Sequence, residues 1–284
     1  MRTRFAPSPT GPLHLGHAFS ALTAARLAKE AQGTFLLRIE DIDQSRARAH
    51  WEAQIYDDLH WLGLTWPTPV MRQSERMPVY RAALQKLWDQ GLLYPCTCTR
   101  RDIDAALSAP QEGALHYGPD GPIYPGTCRD KQRPAQLPDG ESLRLDMAKA
   151  IQHLPETLSF TETGPVHTGA HSLNLSDAPQ TIGDIVLARR DMGTSYHLSV
   201  VLDDADQEIT HVTRGADLFE ATQIHVILQA LLNLPMPIYH HHALIRDENG
   251  KRLAKRDDAR AISLYRSEGK TPQDIAALTG ATLP

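Results

Sequence analysis

Thr3-Arg4-Phe5-Ala6-Pro7-Ser8-Pro9-Thr10-Gly11-Pro12-Leu13-His14-Leu15-Gly16-His17 opens the chain with a short mixed run and a proline-rich loop. From Ala18 to Ala31 the sequence turns rich in Ala and Leu. Proline cannot continue a helix, whereas Ala, Leu, Lys and Glu favour one, so the order is strand, loop, helix. Gly33 stops the helix, and Thr34-Phe-Leu-Leu-Arg-Ile39 has the compact apolar character of a buried strand. Strand, helix and strand at this spacing make a parallel β-α-β unit. Open α/β sheets bind ligands at the carboxyl ends of such strands. The fold class is therefore α/β, with a ligand site expected at the first turn, which carries Gly11 and Gly16.

Working outward, Arg46–Leu62 and Pro78–Gly91 carry apolar residues at helical spacing, with Gly63 and Gly91 as stops. From Tyr94 to about Thr181 the chain changes to Pro, Gly, Thr and Asp with short apolar runs, the character of an inserted subdomain. Asp184–Leu187 and His197–Leu202 read as strands or buried segments, Ala221–Leu232 as a helix ended by Asn233 and Pro235, and Gln273–Leu278 as a short closing helix. The 284 residues are 41% hydrophobic and 22% charged, which excludes a disordered or fibrous chain. With 29 Lys and Arg against 34 Asp and Glu, the formal charge is -5 and no general basic coat for nucleic acid exists. A local excess lies in Arg246–Lys270, eight basic residues against five acidic. The start lacks the apolar run of a signal peptide and no window approaches ~18 apolar residues, so a cytoplasmic protein without membrane contact is expected.

Three constellations carry chemistry. His14 and His17 would share a face of the first helix, whose free N–H groups and partial positive charge suit an anion such as a triphosphate. Gly16 between them leaves backbone open to a purine or ribose. A bare histidine pair is more often structural, but the strand-to-helix position favours binding. Gly250-Lys-Arg-Leu-Ala-Lys255-Arg256 is a basic loop able to neutralise charge on phosphate oxygens, although alone it reads as a solvated turn. Cys96, Cys98 and Cys128, odd in number and close in sequence, favour a metal over disulfides. Three thiolates and a fourth donor from Tyr124, Tyr117 or His116 would make a tetrahedral zinc site; the bland alternative is three buried, reduced cysteines.

Together, His14-Leu-Gly-His17 and Arg252-Leu-Ala-Lys255-Arg256 resemble the paired signatures of the class I aminoacyl-tRNA synthetases, the second departing from pattern at Ala254. Arg4–Gly11 and Leu37-Arg-Ile-Glu40-Asp-Ile-Asp43 resemble the opening of the glutamyl-tRNA synthetases, and the likeness covers most of the chain. It implies a Rossmann-like parallel sheet with an inserted zinc-containing subdomain and a short helical C-terminal segment. The division would be 1–93 and 182–245 as the two halves of the catalytic domain, 94–181 as the insertion, and 246–284 as lysine loop and helical end. It further implies an ATP-dependent ligase forming glutamyl-adenylate. Arg4, Phe5, Ala6, Pro7, Ser8, Glu40, Tyr196 and Arg214 would bind L-glutamate, and His14, Gly16, His17 and Lys255 would bind ATP with Mg2+. His14, His17 and Lys255 would be catalytic, and one structural Zn2+ would sit on Cys96, Cys98, Tyr124 and Cys128. Leu218 replaces a tryptophan of the family, so one pocket wall is expected to differ.

The chain ends 29 residues after Lys255, too soon for an anticodon-reading domain. In that it resembles the truncated synthetase-like proteins that activate glutamate without tRNA and transfer it to the queuosine base of tRNA(Asp). A monomer is expected, with ATP, L-glutamate and queuosine-bearing tRNA(Asp) as partners. The alternatives are charging of a tRNA terminal adenosine, another nucleotidyltransferase with the same histidine motif, and a non-catalytic paralogue that binds an amino acid or RNA.

Overall fold

A computed structural model of the protein describes residues 1–108, 117–245 and 260–283. His116, the basic loop with Lys255 and most of Arg246–Lys270 lie outside the described residues. Strand β1 (Arg2–Phe5), helix α1 (Leu15–Glu30) and strand β2 (Thr34–Ile39) form the expected parallel unit, with Arg2 opposite Thr34 and Phe5 opposite Leu37. The two-residue strand β3 (Met71–Arg72) extends it beyond β2. Helices α2 (Ala49–Trp61) and α3 (Met77–Asp89) are each followed by a glycine with positive φ, Gly63 at 80° and Gly91 at 76°, a conformation that a side chain would strain.

The chain then runs through β4 (Leu93–Cys96), α4 (Arg100–Ser108), the small hairpin β5 (Tyr117–Gly118) and β6 (Gly121–Pro122), β7 (Ser142–Leu145) and α5 (Met147–Ala150). Next come β8 (Thr157–Glu162), β9 (Gly169–Asn174), α6 (Ala178–Thr181) and β10 (Val186–Ala188). The last described elements are α7 (Tyr196–Asp206), β11 (His211–Gly215), α8 (Thr222–Leu232), β12 (Ile238–His242), α9 (Ile262–Ser267) and α10 (Pro272–Thr279). β4, β7 and β10 pair as an antiparallel sheet. β11, β12 and β8 run parallel, with β9 antiparallel at the edge. The N-terminal sheet joins this second one where Thr210 N–H donates to Arg2 O (3.0 Å) and Arg2 N–H to Thr210 Oγ1 (2.8 Å). That junction brings the carboxyl ends of β1, β2, β11 and β12 to one edge. Ile262 and Ile275 return to the apolar core between α1, α2 and the first two strands, so the C-terminal helices pack against the N-terminal unit.

Of the two readings of His197–Leu202, strand or buried segment, the structure corrects the first and bears out the second: the run lies buried inside helix α7. Ser195 is its N-cap, extended and accepting with Oγ from Leu198 N–H. Leu198, Val200, Val201 and Leu202 are all buried, as are His197 and Ser199 between them, so this run has no exposed face and its apolar residues mimic a strand. No described helix is long and apolar enough to cross a membrane.

Candidate active site

A cavity of about 450 Å³ opens at the shared strand edge, and Arg4, Phe5, Ala6, His14, Gly16, His17, Glu40, Tyr196 and Arg214 line it. A second cavity of about 420 Å³ adjoins it through Glu40, Tyr196 and Leu218, and Ser8 faces that one. Pro7 lines neither cavity; its carbonyl accepts from Glu40 N–H (3.0 Å) and so ties the first loop to the end of β2. Lys255 lies outside the described residues, so its approach to the cavity is not part of this geometry.

His14 and His17 lie side by side, but only His17 is within the helix. His14 is the N-cap of α1, its Nδ1 accepting from Gly16 N–H (3.1 Å), and His17 Nδ1 accepts from His14 N–H (3.2 Å). The reciprocal bonds make a capping box built from two imidazoles, with ring centroids 3.7 Å apart. An Nδ1 that accepts carries no proton, so each neutral ring keeps its proton on Nε2, where it can donate to a phosphate oxygen. Burial, reinforced by His14, lowers the His17 pKa to about 3. His17 is thus a neutral donor throughout the physiological range.

Arg4 and Glu40 belong to a buried charge cluster with Arg38 and Asp204 that local sequence does not announce. Asp204 accepts from Arg4 Nε (3.0 Å) and NH2 (3.1 Å) and from Arg38 NH1 (2.7 Å), while Arg38 NH2 donates to Glu40 Oε1 (3.1 Å). Arg4 NH1 also donates to Thr213 O (3.1 Å), binding β1 to β11. Burial would raise the Asp204 pKa, but Arg4 and Arg38 outweigh it and hold the carboxylate ionised. Burial raises the Glu40 pKa and its two arginine neighbours only partly offset that, so an additional cation at the cavity mouth, such as an α-ammonium group, would stabilise its charged form.

Arg214 is built differently. Its Nε donates to His241 Nε2 (2.9 Å), NH1 to His225 Nδ1 (3.0 Å) and NH2 to Thr222 Oγ1 (2.8 Å). No described carboxylate forms an ion pair with it, although it is only 6% exposed. Three of five guanidinium N–H groups are thus used, and the other two have no partner among the described residues. One imidazole away lies an anion, Glu162, bonded to the far nitrogen of His241. Burial would raise the Glu162 pKa, but bonds from His241 and from Gly164 N–H bring it down to about 2. Sequence reasoning missed Asp204, Arg38, Glu162, His225 and His241. The available signals were two adjacent acids, Asp203 and Asp204, closing an apolar run, and the triple histidine His240–His242.

The sulfurs of Cys96, Cys98 and Cys128 lie within 4.8 Å of one another. Tyr124 O–H stands 3.4 Å from Cys96 Sγ and 3.3 Å from Cys98 Sγ. A zinc ion with Zn–S near 2.3 Å would hold tetrahedral sulfurs about 3.8 Å apart, so this donor set fits the ion with small adjustment. Tyr117 is 70% exposed on the hairpin and stands away from that role.

The sequence model of the tRNA synthetases class I (E and Q) catalytic domain matches residues 1–124 and 169–281. The chain is 64% identical over 282 residues to the Glutamyl-Q tRNA(Asp) synthetase of Rhodobacter capsulatus, covering 99% of this chain and 100% of that one. It is 40% identical to the protein of the same name from Symbiobacterium thermophilum, over 96% and 83% of the two chains. Among solved structures, a glutamate tRNA ligase from Elizabethkingia meningosepticum in complex with its amino acid superposes with a TM-score of 0.75 at 26% identity, over 98% of this chain. This chain spans 60% of the length of that ligase. Methionyl-tRNA synthetase of Mycobacterium tuberculosis shares the fold at a TM-score of 0.60 and 10% identity. With a β-α-β nucleotide-type edge, a histidine-capped helix and a family match along most of its length, this chain belongs to the class I tRNA synthetases of the E and Q group.

Proposed function

We propose that the protein activates L-glutamate with ATP and then transfers the glutamyl group to the queuosine base of tRNA(Asp). The observation that carries this reading is end-to-end identity of 64% with a Glutamyl-Q tRNA(Asp) synthetase, over 99% of this chain and 100% of that one. In the first step a glutamate α-carboxylate oxygen bonds to the α-phosphorus of ATP and pyrophosphate leaves. Little covalent help is needed; the task is positioning and charge stabilisation. The Nε2 protons of His14 and His17 would donate to phosphate oxygens, and Gly16 would leave room for the nucleoside. Arg214 would clamp a carboxylate, while Glu40 would accept from the α-ammonium beside Tyr196. Lys255 would reach the triphosphate from its loop. Mg2+, when bound to the phosphates, would neutralise part of their charge.

In the second step a hydroxyl or amine of the acceptor bonds to the glutamyl carbonyl carbon, the bond from that carbon to the adenylate phosphate oxygen breaks so that AMP leaves, and the acceptor's proton passes to solvent or to the departing phosphate. The second cavity, continuous with the first at Glu40 and Tyr196, is where an acceptor could approach. Zinc on Cys96, Cys98, Tyr124 and Cys128 would brace the segment 94–181 rather than take part in bond making. The decisive experiment is ATP-pyrophosphate exchange with glutamate in the absence of tRNA, followed by transfer of labelled glutamate to tRNA(Asp) with and without queuosine. Exchange without tRNA and transfer only to the queuosine-bearing form are expected. Exchange only with tRNA(Glu), or label on a terminal adenosine, would replace this reading by tRNA charging. Lys255→Ala should abolish exchange.

A further inference from the structure

Arg214 is the start of a hydrogen-bonded chain that leaves the cavity and ends on the surface. Its NH1 can only donate, so His225 Nδ1, 3.0 Å away, must accept, and the His225 proton must sit on Nε2. That nitrogen lies 3.1 Å from His197 Nδ1, which therefore accepts in turn, leaving the His197 proton on Nε2. His197 Nε2 faces Asp120 Oδ1 at 3.3 Å. A guanidinium at one end and a carboxylate at the other give every bond the same direction, so both imidazoles have only one tautomer that satisfies the chain. Both histidines are buried, at 2% and 7% exposure, and burial together with Arg214 keeps His225 well below its ordinary pKa. Asp120 comes from the turn between β5 and β6, far from the catalytic strands in sequence.

We propose that His225, His197 and Asp120 are positioning residues that hold the Arg214 guanidinium in one plane, so that its two remaining N–H groups meet the carboxylate of an acidic amino acid. This rests on the reading of Arg214 as the amino-acid clamp. The chain works opposite a second one, Arg214 to His241 to Glu162, so the cation is oriented from two sides by neutral rings. Neither chain places a carboxylate on Arg214 itself. The charge is thereby left for the substrate, while the orientation is not left free.

The test is ATP-pyrophosphate exchange by the full chain with glutamate and ATP varied separately. His225→Phe is expected to raise the KM for glutamate about tenfold, the scale of one hydrogen bond to a charged group, with the KM for ATP within twofold. His225→Gln can accept from Arg214 with Oε1 and donate to His197 with Nε2, and should recover most of that loss. Asp120→Ala, at a side chain 48% exposed where folding is not at stake, should raise the glutamate KM about threefold. Arg214→Ala run alongside separates the two claims. If it leaves glutamate dependence intact, the clamp reading fails. If it abolishes glutamate dependence while Asp120→Ala and His225→Phe leave the glutamate KM within twofold, or if Gln restores nothing over Phe, the positioning chain is overturned. Should His225→Phe not fold, the Asp120→Ala result decides alone.

Discussion

Two buried arginines line the same cavity and are treated in opposite ways. Arg4 is gripped by both oxygens of Asp204, which Arg38 shares while it also pairs with Glu40 and, at 3.9 Å, with Asp203, so each cation meets carboxylates within one cluster. Arg214 is held by two histidines and a threonine and has its counter-charge one imidazole away, at Glu162. The first arrangement is closed electrostatically and locks β1, β2, α7 and β11 together. The second keeps a desolvated cation oriented yet unneutralised, the condition in which a bound carboxylate gains most. A residue's burial and charge alone would not separate these roles; the identity of its partners does.

The sharpest way to break this comparison is to keep the charge of Arg214 and remove its fork. Arg214→Lys should lower kcat/KM for glutamate by about a hundredfold, roughly 3 kcal/mol, because an ammonium cannot make two parallel bonds or hold three fixed partners. Loss below tenfold in exchange assays would mean that charge, not geometry, does the binding. In the closed cluster the effect should fall on stability. Asp204→Asn removes the carboxylate that Arg4 and Arg38 share, leaving Arg38 only Glu40 and the more distant Asp203, and should cost about 3–5 kcal/mol in urea unfolding, whereas an unchanged midpoint would mean that Asp204 does not hold the cluster as described.

Proton linkage sharpens the contrast further. Glu162 has a folded pKa near 2, below its ordinary 4.5, so its contribution is fully present above about pH 4.5 and is lost as pH falls toward 2. That limb, up to about 3 kcal/mol, should be missing from the unfolding profile of Glu162→Gln. The smallest effect lies outside both clusters. Asp58 on α2 is buried with neither carboxylate oxygen hydrogen-bonded, and burial, aided by Asp57, raises its pKa to about 6. A raised carboxyl pKa favours folding below about pH 3.8 and that advantage is lost as pH rises through 6, so Asp58→Asn should stabilise the protein at pH 8 by about 1–2 kcal/mol and do nothing at pH 3. Thermal melts at the two pH values would read the difference, and equal shifts at both would contradict it.

The outline of this protein was legible from local pattern. A proline-rich loop, helix formers, a glycine stop and a compact apolar run located β1, α1 and β2 to within a few residues, because these properties act over one or two turns of chain. His14, Gly16 and His17 could be placed at a helix start, and the three cysteines clustered in sequence as in space. The strand reading of His197–Leu202 has the same root, since an apolar run buried on all sides carries no period by which helix and strand differ. Tertiary structure alone decided what each charge does. Arg4 and Asp204 are 200 residues apart, and Arg214 and Glu162 meet only because β12 pairs with β8 and seats His241 between them. Sequence specifies which side chains can ionise and which backbone segments persist; whether a buried cation is neutralised or kept for a ligand depends on which distant side chains the sheet order brings within 3 Å, and hydrogen-bond energy is decided at that range.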